Sequence, residues 1–135
     1  MLSIPRSLEA LSPAEAVALL ATAAVGRVVF TAGALPAVVP VTFAVHAGAV
    51  VLRTAAGSRL AGAADGSVLS LQADDVDPDA RTGWSVVVTG MSEVVIDAAA
   101  RAVIHGLVEP WAPGQHDVYV RIPLTVVTGR RVAEG

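Results

Sequence analysis

"AVVPVTFAVHAGAVVLRT", residues 37–54, decides the fold. Its first half alternates, with Val41, Phe43 and Val45 on one side and Thr42 and Ala44 on the other. That period of two is the mark of a half-buried strand. "HAG" (46–48) is a tight turn and "AVVLRT" (49–54) returns, so the two runs read as a hairpin. Pro40 cannot donate to a ladder and marks an edge or a bulge.

Working outward, more strands appear. "GRVVFT" (26–31) precedes the hairpin, and "SVLSLQA" (67–73) follows it after a short helical turn, "SRLAGAAD" (58–65). The acidic stretch "DDVDPDARTG" (74–83) reads as a loop. "WSVVVTGMSEVVI" (84–96) is the longest strand signal, with Gly90 expected at a bulge. "DAAARAVIHGLV" (97–108) is a helix capped by Asp97, broken by "EPWAPGQ", and "DVYVRIPLTVVTG" (117–129) is the last strand. Upstream, "LSPAEAVALLATA" opens a helix with Ser12 as N-cap, Pro13 at the first position and Glu15 completing a capping box. Ala16, Leu19, Leu20 and Ala23 form its apolar face, and Gly26 is expected to stop it. About six strands separated mainly by turns, with two or three helices, predict a mainly β antiparallel barrel over a doubly wound sheet.

Composition narrows the function. At 135 residues the expectation is one domain, 1–135. The chain has no cysteine, which removes disulfides and thiol chemistry. A net charge of −3 without a basic stripe argues against nucleic acid. The sequence is 54% hydrophobic, mostly alanine and valine. No uncharged apolar run reaches the ~18 residues of a membrane span. "MLSIPRSLEAL" is too short in its apolar part and too acidic for a signal peptide. The expected location is the cytoplasm. So apolar a short chain also suggests that a partner subunit covers part of its surface.

"LRTAAGSRLAG" (52–62) gathers Arg53, Thr54, Ser58 and Arg59 around a small-residue turn. Two guanidinium groups, hydroxyls and a helix start make an anion pocket suited to a phosphate monoester. The alternative is two solvated arginines and a plain N-cap. Asp74, Asp75, Asp77 and Asp79 lack the glycine and glutamate of a calcium loop and read as a solvated turn. His46, His105 and His116 show no metal-ligand spacing, so no metal site is expected. No G-x-S-x-G, Walker motif or catalytic carboxylate pair is present. Trp84 is either a strand-end core anchor or an aromatic wall at a pocket mouth. Trp111 sits in a proline-bounded loop, "EPWAPG", suited to contact with a ligand or a subunit.

"GRVVFTAGALPAVVPVTFAV", "VVLRTAAGSRL", "DARTGWSVVVTGMSEVV", "PW" and "VTGRR", in that order, resemble the pyridoxamine 5'-phosphate oxidase-like FMN-binding split-barrel family, in its small actinobacterial-type branch. The likeness spans roughly residues 14–131. It implies a six-stranded antiparallel split β-barrel, acting as a homodimer with FMN at the subunit interface. By the same resemblance Arg53, Thr54, Ser58 and Arg59 hold the FMN phosphate. Pro40, Val41, Thr42 and Phe43 run beside the isoalloxazine ring. Trp84 and Ser85 fall at a polar or aromatic flavin contact, and Trp111 resembles a loop residue reaching over from the second subunit. Two departures count against pyridoxamine phosphate as substrate. Leu60 stands where the oxidase proper has a second basic residue, and its C-terminal substrate-phosphate residues are missing.

The expected function is an FMN-dependent oxidoreductase acting on a small molecule. No residue is singled out as catalytic acid or base. One alternative is a deazaflavin coenzyme in the same site. Another is a non-catalytic flavin- or haem-binding module, with His46 or His105 as the axial ligand.

Overall fold

A computed structural model describes residues 6–134, and the leader reading of residues 1–5 lies outside it. The hairpin forms as β3 (Leu35–His46) and β4 (Ala49–Thr54), with His46 opposite Ala49 and Phe43 opposite Leu52. Its two faces feed two cores. Phe43, Val50 and Leu52 pack inward with Val28, Leu71, Val86 and Val88. Val51 turns the other way, onto Ile104, Val108 and Tyr119. Alternation along the strand is the direct cause.

In chain order the elements are β1 (Arg6–Ala10), α1 (Pro13–Leu20), β2 (Val25–Ala32), β3, β4, α2 (Arg59–Ala63), β5 (Val68–Asp77), β6 (Thr82–Met91), β7 (Glu93–Val94), α3 (Ala98–Leu107), β8 (Val118–Pro123) and β9 (Val126–Glu134). The strands form one antiparallel sheet in the order β1-β9-β6-β5-β2-β3-β4-β8-β7. β3 carries the split. Its residues 35–42 pair with β2, and 43–46 pair with β4. The sheet curls there until β6 meets β8, where a Cβ on Gly90 would strike the Pro123 carbonyl. Leu20 of α1 and Leu60 of α2 are buried in the interior. Burying such a leucine contributes about 1.5–3 kcal/mol.

The mainly β barrel with flanking helices stands, but the described residues form nine strands, not six. β1, which pairs with β9, carries no strong strand signal. The 84–96 run breaks at Ser92. Its buried hydroxyl bonds to the Ala64 carbonyl at 2.6 Å and lies 2.9 Å from the Ser67 carbonyl, and β7 then pairs with β8. The 117–129 run is likewise two strands, β8 and β9. The expected acidic loop is mostly strand. β5 continues through Asp74, Asp75 and Asp77 because β6 offers an unbroken ladder as far as Asp77–Thr82. Tertiary pairing here overrides the poor strand propensity of aspartate. Gly90 is no bulge, since the same ladder runs through Leu69–Gly90 in register. It is needed for close approach to β8 instead.

The capping box of α1 forms as read. Ser12 N donates to Glu15 Oε1 at 3.1 Å, and Glu15 N to Ser12 Oγ at 3.2 Å. The helix ends at Leu20, earlier than Gly26, which lies inside β2. A Cβ on Gly26 would come within 2.8 Å of the Gln72 carbonyl. The hydrogen bond from the Ser12 backbone, then that from its side chain, holds the Glu15 carboxyl below its ordinary range. Among the described residues no helix is long and apolar enough to cross a membrane.

Candidate functional site

A cleft of about 410 Å³ opens beside the hairpin. One wall is Val39, Pro40, Val41 and Thr42 of β3, and another is Arg53 and Thr54 of β4 with Ser58. The loop between α3 and β8 closes the third side with Pro110, Trp111, Ala112 and His116. Among the described residues no carboxylate lines it. Arg53 is the one permanent cation among the described residues that line it, and the cleft therefore favours an anion.

The donors are only partly spent. Arg53 Nε donates to the His116 carbonyl at 3.1 Å and Nη1 to the Val108 carbonyl at 3.2 Å. Its guanidinium carbon lies 5.3 Å from the centre of the Tyr119 ring. Nη2 has no hydrogen-bond partner among the described residues. Thr54 Oγ1 and Ser58 Oγ are 2.9 Å apart, and Ser58 Oγ also accepts from Ala61 N as the cap of α2. One of the two hydroxyl protons is used between them, which leaves the other for a ligand. Thr42 Oγ1 donates to the Glu109 carbonyl at 3.1 Å. Trp111 stands at the mouth with 75% of its surface exposed.

The structure thus brings together Pro40, Val41, Thr42, Arg53, Thr54, Ser58 and Trp111. Trp111 lines the cleft of its own chain, whereas the resemblance implies reach from a second subunit. Four expected residues lie elsewhere. Phe43 is buried in the interior, because the alternation of β3 turns it into the core rather than to the cleft. Arg59 opens α2 and is exposed outside the cleft lining. Leu60 beside it is 2% exposed in the interior. Trp84 and Ser85 are on β6 and face opposite sides of it. Trp84 packs partly buried against the interior, while Ser85 accepts from Gln72 Nε2 at 3.3 Å. Both border a separate groove of about 400 Å³ with Leu8, Asp74 and Arg130.

His116 was missed. It has no spacing relation to the other cleft residues, and a backbone bond brings it in. One signal exists: Arg53 pairs in register with Tyr119, three residues after His116. His105 is taken by Tyr119, with Nδ1 3.0 Å from the phenol oxygen, and His46 lines a different hollow. Of the acidic stretch, Asp77 accepts from Asp79 N at 3.0 Å and Ala80 N at 3.2 Å, closing the turn.

On the outward face of the sheet two cross-strand rows run from β9 to β3, where Pro40 lines the cleft. One cross-strand row runs Thr128, Val87, Gln72, Arg27 and Pro40. The next runs Val126, Thr89, Ser70, Val29 and Val38, and its three valines are exposed.

Comparison with known proteins agrees with this architecture. The chain is 45% identical over 123 residues to the uncharacterized protein Rv0080 of Mycobacterium tuberculosis, covering 87% of this chain and 81% of that one. Among solved structures, the FAD binding protein of Mycobacterium smegmatis is 34% identical, with a TM-score of 0.73, over 93% of this chain and 98% of its own. A candidate pyridoxamine 5'-phosphate oxidase of Corynebacterium glutamicum is 31% identical, with a TM-score of 0.79, over 95% of each chain. Residues 12–131 match the family model described as pyridoxamine 5'-phosphate oxidase. By its fold, and by that match over most of its length, the chain belongs to the pyridoxamine 5'-phosphate oxidase family.

Proposed function

We propose that this protein is a homodimeric, FMN-binding oxidoreductase whose flavin lies in the cleft beside Arg53. The carrying observation is a carboxylate-free cleft that holds unspent donors and an exposed indole. Those residues fit the group. Arg53 Nη2 and the free proton of the Thr54–Ser58 pair would hold the phosphate, a charge-assisted contact of the strong kind. Arg59 would add long-range attraction from outside the cleft. Val39 and Val41, with Pro40 and Thr42, offer an apolar wall to the ring, and Trp111 a planar cover. Bound flavin supplies the redox chemistry, and the protein supplies binding, orientation and exclusion of water.

About 410 Å³ lies within the ~300–1,000 Å³ of small-molecule sites. FAD is the second reading, favoured by the name of the 34% identical relative. Both carry riboflavin 5'-phosphate, so the same donors serve either.

The homodimer is supported by the exposed valine row. A two-fold contact uses one face on both copies. Packing this outward face against itself would bring the partner's Ser85, and the groove it borders, toward the Pro40 edge of the cleft. Fluorescence titration with FMN, FAD and a deazaflavin tests the cofactor, with light scattering for the mass. Saturable, preferential FMN binding by a dimer is expected. Preference for FAD or the deazaflavin replaces the cofactor, and a protein that binds none of them refutes the reading.

A further inference from the structure

We infer that Arg53 is the clasp of the loop 109–117, tying both ends of it to β4 and so setting where Trp111 stands over the cleft. The inference rests on the flavin reading only for its ligand arm.

The observation is the destination of the guanidinium fork. Nη1 goes to the carbonyl of Val108, the residue that caps α3, and Nε to the carbonyl of His116. One side chain therefore holds the residue just before the loop and one at its far end. Two further ties act at the same feet. Thr42 Oγ1 donates to the Glu109 carbonyl, and Arg101 Nη2 to the Asp117 carbonyl at 3.1 Å. Between the feet the chain has no helix or strand, and Trp111 to Gln115 are exposed. His116 Nδ1 meets the Gly114 carbonyl at 3.1 Å, a contact wholly inside the loop. The loop's placement thus depends on its feet.

Tyr119 orients the fork. The guanidinium carbons of Arg53 and Arg101 lie 5.3 and 4.8 Å from the centre of its ring. The ring is buried and pairs directly across the ladder with Arg53. A lysine cannot reproduce this. Its ammonium is a point charge on a flexible stem, without a planar fork to reach two diverging carbonyls. Charge and clasp are therefore separable by Arg53→Lys.

The test has two arms. In a Trp84→Phe background Trp111 is the remaining tryptophan, and its fluorescence anisotropy decay reads loop motion with no flavin present. Arg53→Lys is expected to add a fast local component, and Thr42→Val a smaller one. An unchanged decay in Arg53→Lys overturns the clasp, whatever Thr42→Val does. If Arg53→Lys does not fold, Arg53→Met, which keeps a linear stem and removes every donor, decides in the same way. In the second arm, with Trp84 intact, riboflavin and FMN are titrated separately. Riboflavin has no phosphate, so a tenfold or greater loss of its affinity in Arg53→Lys supports the clasp. A loss confined to FMN overturns it and leaves Arg53 a phosphate partner alone. A natural protein that binds neither flavin refutes the cofactor reading, and the anisotropy arm still decides the clasp.

Discussion

The cleft beside Arg53 and the groove beside Ser85 are nearly equal in size, about 410 and 400 Å³. Their chemistry differs. Among the described residues the cleft is lined by one arginine, three hydroxyl side chains and no carboxylate. The groove contains Asp74 and Asp77 next to Arg81 and Arg130. Asp74 and Ser85 are both engaged from the outward face of the sheet by residues outside the groove. Gln72 Nε2 donates to Asp74 Oδ2 at 2.6 Å, and Arg27 lies 3.7 Å from the same oxygen. Volume therefore does not mark the site. Unspent donors in a cavity of one charge sign do, whereas a self-satisfied polar row flanked by exposed valines suits a protein surface.

The sharpest way to break that contrast is Val29→Arg on the outward face. If the face is buried between two copies, an unpaired charge there costs about 3–5 kcal/mol, over a hundredfold in association. Light scattering should then show a monomer with weakened flavin binding. On a free surface the same change is worth within about 0.5 kcal/mol, and an unaltered mass with full flavin binding would remove the dimer from the proposal.

Next comes Arg53→Ala in the cleft. A hydrogen bond to a charged group contributes about 1.5–3 kcal/mol, so FMN affinity should fall roughly tenfold to over a hundredfold. Unchanged affinity would mean that the phosphate lies elsewhere. Arg59→Ala should do much less. Exposed charges contribute about 0.2–1 kcal/mol, at most about fivefold in affinity, and fading with added salt. An effect equal to that of Arg53→Ala would mean that Arg59 turns into the cleft on binding.

The smallest effect belongs to α1, which lines neither cavity. Glu15 is held below the ordinary carboxylate range by the Ser12 cap. A lowered folded value stabilises above the unfolded one and is lost as pH falls through the folded one. Thermal melts should fall more steeply on acidification below the usual carboxylate range in the natural protein than in Glu15→Gln. Parallel curves would count against the capping box.

Much of this was legible from residues. The hairpin declared itself through Val41, Phe43 and Val45, and Ser12 and Asp97 cap their helices as read. Misreadings have a common cause, which is that long-range pairing leaves little local trace. Asp74 to Asp77 look like a turn until β6 is set beside them. Gly90 looks like a bulge until Pro123 arrives from β8. In the site, Arg53, Thr54 and Ser58 were visible because charged side chains are scarce in this chain, at 16%, and two of its nine arginines sit there beside the hydroxyls. The clasp was not visible, because Arg53 reaches the carbonyls of Val108 and His116, and any residue type can supply a carbonyl.

The most direct measurement is the visible absorption spectrum of the purified protein after saturation with FMN and gel filtration, taken for the natural protein and for Arg53→Ala. Flavin bands retained by the first and lost from the second are the expected result. A natural protein that emerges colourless, or an Arg53→Ala variant that stays equally yellow, would contradict the assignment of the cleft to the cofactor.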